Sequence, residues 1–203
     1  MDFSFFNTNK VVPVVVLNSI DETIPKLSAL KRGGINVAEI TFRTSCAPDC
    51  LALAVKTFPD MLVGVGTIIN REQCVKALDI GAKFVVSPGF SKEVAEECIS
   101  RDVPYIPGVI TPTEVMMAKA VGLNVLKFFP ASDFGGIKTM KALSAAFPDV
   151  RFVPTGGVSE SNLHEFLGQK FVIGAGGSWM MKGTESDIET ASRRAVEIAK
   201  EYI

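Results

Sequence analysis

Histidine is almost missing from this chain: His164 is the only one among 203 residues. Most zinc sites draw on several histidines, so a resident catalytic metal is hard to assemble here. His164 also lies inside a helix-like stretch, SESNLHEFLGQK (159–170), away from any strand end, which reads as a surface position. Cysteine is sparse too. Cys46, Cys50, Cys74 and Cys98 have no metal-finger spacing and no small disulfide-rich context. Each is expected in a helix-like segment as a buried free thiol. Charge of one sign is not in excess, since 21 basic and 22 acidic residues interleave to a formal net charge of −1. No basic stripe suggests nucleic acid and no polybasic segment suggests a membrane surface. Any anionic ligand must be met by a local site. No apolar run approaches a membrane span, and MDFSFFNTNK (1–10) lacks the basic leader and long apolar core of a secretory signal. The expected location is the cytoplasm.

What is present is an ordinary globular composition, 47% hydrophobic and 21% charged. The length suits one core, so residues 1–203 are expected to form a single domain. Strand-like runs occur at 11–17, 36–42, 62–67, 84–88, 105–110, 125–130, 151–156 and 171–176. Helix-like segments lie between them, several opening after Ser, Asp or Asn and several stopping at Gly. A last helix is expected over 186–203. Strict alternation means a parallel sheet covered by helices, and eight units favour a (β/α)8 (TIM) barrel. An open doubly wound sheet is the rival, but no GxGxxG follows the first strand. The first ten residues are expected to form a short capping helix, with Phe3, Phe5 and Phe6 on the barrel bottom.

The most informative residue is Lys127, inside the apolar run VLKFFPA (125–131). Burying a lysine costs free energy unless it is paired or held neutral. A neutral amine is a nucleophile toward carbonyl carbon, so a buried lysine is suited to forming an imine. In the second run, side chains alternate: Val37, Glu39, Thr41 and Arg43 share one face, while Ala38, Ile40 and Phe42 share the other. With the apolar set toward the helices, Glu39 and Arg43 point into the barrel mouth, where such enzymes keep their sites. A structural Glu39–Arg43 ion pair is the alternative. Thr67 and Pro88 end the third and fourth runs in phase with inward positions. TGGVS (155–159) and GAGGSW (174–179) follow the seventh and eighth runs, the recurrent phosphate site of this architecture. With Ser178 as a hydroxyl donor, they suggest a phosphorylated substrate.

EITFRT (39–44), VGVGT (63–67), SPG (87–89), IPGV (106–109), LKFFPA (126–131), PTGG (154–157) and GGSW (176–179) together resemble the 2-keto-3-deoxy-6-phosphogluconate (KDPG) and 4-hydroxy-2-oxoglutarate aldolases. The resemblance runs in order from about residue 10 to the final helix. It implies a class I lyase without cofactor or metal, in which Lys127 forms the Schiff base and Glu39 is the general acid/base. Arg43, Thr67, Pro88 and Thr155 would meet the keto-acid end of the substrate. The amides of Gly156 and Gly157, with Ser178, would hold its phosphate. It also implies a homotrimer. Alternatives are the galactonate version of the aldolase, which differs by one stereocentre, a phosphosugar isomerase or epimerase making no imine, and a non-catalytic phosphometabolite-binding barrel.

Overall fold

The computed structural model describes residues 1–203. Its strands are β1 (Val11–Val15), β2 (Val37–Thr41), β3 (Leu62–Gly66), β4 (Val85–Val86), β5 (Tyr105–Ile106), β6 (Gly108–Val109), β7 (Val125–Phe128), β8 (Arg151–Pro154) and β9 (Ala175–Gly177). Its helices are α1 (Thr23–Arg32), α2 (Ala47–Thr57), α3 (Arg71–Ile80), α4 (Lys92–Ser100), α5 (Pro112–Ala120), α6 (Gly136–Ala146), α7 (Leu163–Leu167) and α8 (Glu185–Ala199). Helix starts follow capping chemistry. Asn70 and Ser91 accept the third amide of α3 and α4, and Thr111–Glu114 and Thr184–Asp187 form capping boxes on α5 and α8. Gly81, at φ +113°, ends α3 in the left-handed conformation.

Every strand pairing is parallel, in the orders β5-β4-β3-β2-β1-β9 and β6-β7-β8. The result is an α/β fold with a strongly curled parallel sheet, buried on both faces as covered parallel sheets are. A cluster of 53 buried residues forms the core. No helix is long and apolar enough to cross a membrane.

Three of the expected runs come out differently. The fifth splits into β5 and β6 because Pro107 has no amide, although its carbonyl still accepts from Lys127 N–H at 2.8 Å. The fourth shrinks to Val85–Val86, ahead of Pro88. In the eighth, Phe171–Ile173 bonds to Phe152 of β8, while the regular ladder begins only at Ala175, against β1. The expected helix over 159–170 contracts to the five-residue α7, because the Asn162 side chain is spent on the preceding loop. Cys50, Cys74 and Cys98 are buried, but Cys46 is half-buried and stands just before α2 rather than within it.

The N-terminal segment forms one 3-10 turn, Ser4–Asn7, not an α-helix; no side chain caps its start. Phe6 is fully buried and stacks on Phe5 at 4.4 Å, and Phe5 stacks on Phe84 at 5.6 Å. A Cβ on Gly174 would lie 2.5 Å from the Phe6 ring, so the absence of a side chain there makes room for it. Phe6→Ala is expected to lower the unfolding free energy by about 3–5 kcal/mol in urea titrations. A loss under about 1 kcal/mol would mean that the turn is an appendage rather than part of the core.

Candidate active site

Glu39 on β2 and Lys127 on β7 meet across the inside of the curled sheet, with 3.7 Å between Lys127 Nζ and Glu39 Oε1. Their residues are only 3% and 4% exposed. In register, Glu39 lies beside Val14 and Gly64, and Lys127 beside Gly108 and Val153. The lysine amine also sits 5.0 Å from the Phe129 ring centroid. Oε1 of Glu39 is buried without a hydrogen-bond partner, and 3.7 Å to the amine is too long for one. Burial pushes the Glu39 carboxyl above its ordinary value of 4.5, while the Lys127 and Arg43 charges pull the other way and do not win. Both groups border a narrow internal void that also touches Thr155 and Gly176.

Next to this void, and sharing Thr155 with it, lies a cleft of about 210 Å³. Arg43, Thr155, Gly156, Gly157 and Ser178 line it together with Phe129. Thr155 is buried and borders both spaces. Gly156 and Gly157 take φ of +91° and +77°, a left-handed backbone that favours glycine. The amides of Gly156, Gly157 and Ser178 donate to no carbonyl. The loop is held by Asn162, whose side chain donates to Gly157 O at 2.9 Å and accepts from Ser159 N at 2.8 Å. Free amides in a concave glycine turn form an anion cradle.

The remaining expected residues divide. Arg43 is exposed at the mouth and makes no ion pair with Glu39; its Nε donates to Thr67 Oγ1 at 3.0 Å. Thr67 is therefore joined to the cleft through Arg43, and it holds φ of +59°, a strained conformation for a β-branched residue. Pro88 is exposed and borders neither the void nor the cleft. His164 is exposed and faces Tyr202 at 3.1 Å.

Compared with known proteins, residues 4–195 match the family model for KDPG and KHG aldolase. The chain belongs to the KDPG and KHG aldolase family. The KHG/KDPG aldolase of Escherichia coli K12 is 38% identical over 97% of this chain and 95% of its own. A 2-dehydro-3-deoxy-phosphogluconate aldolase of Treponema pallidum is 40% identical over 93% of each chain. Among solved structures, the KDPG aldolase of Legionella pneumophila, with pyruvate captured as a covalent carbinolamine intermediate, is similar at a TM-score of 0.87. It is 38% identical, and the match covers 97% of this chain and 95% of that one.

Several residues of this candidate site went unnoticed in the sequence. Val14, Val16, Phe129 and Val158 wall the cleft, but apolar residues in apolar runs carry no local signal of that kind. Asn162 lay inside the expected helix-like stretch 159–170 and carried no signal of its own. Tyr105, fully buried, bonds Ser87 Oγ at 2.6 Å and accepts from Ser91 N at 3.3 Å, fixing the loop that carries Pro88. A tyrosine in a buried run needs a partner for its hydroxyl, which was the signal available.

The Glu39 carboxyl yields a prediction with a definite sign. Its raised value means that protonated Glu39 contributes stability fully below about pH 4.5, and that this contribution is lost as pH rises through the folded value. Lys127→Met removes the stronger of the two opposing charges. The Glu39 titration, followed by its side-chain carboxyl carbon in NMR, is expected to move further up. A downward move would mean that the Lys127 charge is not what holds the Glu39 carboxyl down.

Proposed function

We propose that the chain is a class I aldolase that cleaves 2-keto-3-deoxy-6-phosphogluconate to pyruvate and glyceraldehyde 3-phosphate through a Lys127 Schiff base. Cleavage of 4-hydroxy-2-oxoglutarate to pyruvate and glyoxylate belongs to the same reading. The observation that carries it is an amine and a carboxyl, 3.7 Å apart in an apolar interior, beside a cleft edged with unpaired amides. The family's named activities agree with it.

Free Lys127 Nζ attacks the C2 ketone, and the carbinolamine loses water to give a protonated imine. Glu39 accepts the proton of the C4 hydroxyl, directly or through a water. The C3–C4 bond then breaks, its electrons pass to the imine nitrogen as an enamine forms, and the aldehyde leaves. Glu39 returns a proton to C3, and hydrolysis of the imine frees pyruvate and Lys127. A carboxyl raised by burial is suited to hold a proton in one step and give it up in the next. Arg43, backed by Thr67, supports the substrate carboxylate, and Thr155, which lines both the void and the cleft, belongs to the same keto-acid end. The amides of Gly156 and Gly157 and the Ser178 side chain receive the phosphate, which orients the substrate over the amine.

The closed (β/α)8 barrel is part of this proposal. Its support is that β5 and β6 are one strand interrupted at Pro107, and that bridges Phe152–Val172 and Thr155–Gly176 join β8 to the β9 segment. The Phe5–Phe6 stack would then act as its bottom plug. A homotrimer in the cytoplasm completes the reading.

Two experiments test it. Borohydride reduction with pyruvate is expected to add one pyruvyl group to the wild type by intact mass and none to Lys127→Ala. An adduct on the variant would make another lysine the nucleophile, and no adduct on either would favour an isomerase or a binding protein. For the phosphate end, Ser178→Ala removes one donor to a charged group, worth about 1.5–3 kcal/mol, or about 10–150-fold in kcat/KM. The loss is expected on the phosphorylated substrate and not on 4-hydroxy-2-oxoglutarate. Equal losses on both would detach Ser178 from the phosphate.

A further inference from the structure

Gly66, the last residue of β3, lies where the Glu39 carboxyl needs space. A Cβ built on it would stand 1.8 Å from Glu39 Oε1, 2.5 Å from its carboxyl carbon and 2.7 Å from Cγ. The three nearest atoms all belong to the Glu39 side chain, so the closest clash of the added methyl is with that side chain rather than with backbone. Such a clash is resolved by swinging the side chain, leaving the strand where it is. Glu39 is enclosed, however: it is 3% exposed, and the void beside it holds only about 10 Å³. That void is too small to take a displaced carboxyl. The carboxyl must leave the position 3.7 Å from the amine.

We propose that Gly66 is a positioning residue for Glu39: its missing side chain is the socket that holds the carboxyl opposite Lys127. The inference rests on the aldolase reading above and deepens it. It makes the identity of this residue a requirement of proton transfer, not of the fold. Gly64 supplies the contrast. It lies on the same strand and the same face, two residues earlier, but a Cβ there would strike the Phe84 ring at 2.4 Å and not Glu39. Strain on β3 in general would arise at either glycine, whereas displacement of the carboxyl belongs to Gly66 alone.

The test is a set of exchanges measured for kcat, KM, pyruvate trapping by borohydride, and urea unfolding. Gly66→Ala is expected to stay folded and to form the Lys127 adduct. Its kcat should fall on the order of 10²–10³-fold while KM changes little, as removal of a general acid/base requires. Glu39→Asp, one methylene shorter, is expected to lower kcat in the Gly66 background and to raise it in the Gly66→Ala background, because the shorter arm clears the methyl. In the Gly64→Ala background Glu39→Asp should bring no gain. Near-wild-type kcat in Gly66→Ala, no gain from Glu39→Asp beside it, or an equal gain beside Gly64→Ala would each overturn the proposal. Failure of the aldolase reading looks different: Glu39→Gln would then keep near-normal turnover, or the wild type would form no pyruvyl adduct.

Discussion

An amine and a carboxyl share one water-poor enclosure, and the rest of the site is arranged around that fact. Neither charge could be buried there alone, because transfer from water costs several kcal/mol per ion even after relaxation. A purely structural ion pair would close to hydrogen-bond distance and satisfy its remaining lone pairs. Here the separation is 3.7 Å, Oε1 accepts from nothing, and the amine's other neighbour is the Phe129 ring. The nearby charges offset the desolvation of Glu39 only in part, so its carboxyl stays above the ordinary value. A pair held close but not joined leaves each group free to meet a third.

The curled sheet makes this arrangement affordable to build. Its strands run parallel, so β2 and β7 bring their C-terminal halves toward one opening, and inward side chains from opposite walls meet in the middle. The interior is crowded at its lower end by Phe6 and Phe84 and narrows to a small void under the pair. Thr155 lines both this void and the cleft that carries the glycine turn.

How much of this could be read beforehand depends on the scale of the physical signal. Strand alternation was enough to set Glu39 facing inward, because a period of two assigns every side chain once the apolar face is known, and Lys127 stood out as the one charge in an apolar run. The paired glycines after the seventh run were equally legible, since the positive φ of Gly156 and Gly157 has few other residues to satisfy it. Partnerships between distant segments were not. Nothing local to Arg43 says that its guanidinium bonds Thr67 rather than Glu39, and nothing in VGVGT says that Thr67 takes a left-handed turn. Pro107 was visible as a break and was read through. The five-residue α7 followed from Asn162 choosing a loop carbonyl over a helical turn, a competition that sequence pattern alone does not decide.

The division of charge between the two ends follows from the same constraint. The chain is nearly neutral overall, so attraction for an anion has to be generated locally. Had it come from lysines or arginines packed beside Glu39, their fields would have pulled its carboxyl down and removed the capacity to hold a proton. Backbone amides avoid this, since they present fixed partial charges aimed at the cleft. Arg43 is the one full positive charge at the mouth, and it is exposed and held off by Thr67. Its pull on Glu39 ranks behind that of Lys127, and both together fall short of the effect of burial. On the aldolase reading, anion recognition and proton transfer thus occupy one small cavity without spoiling each other: dipoles serve the first, and desolvation tunes the second.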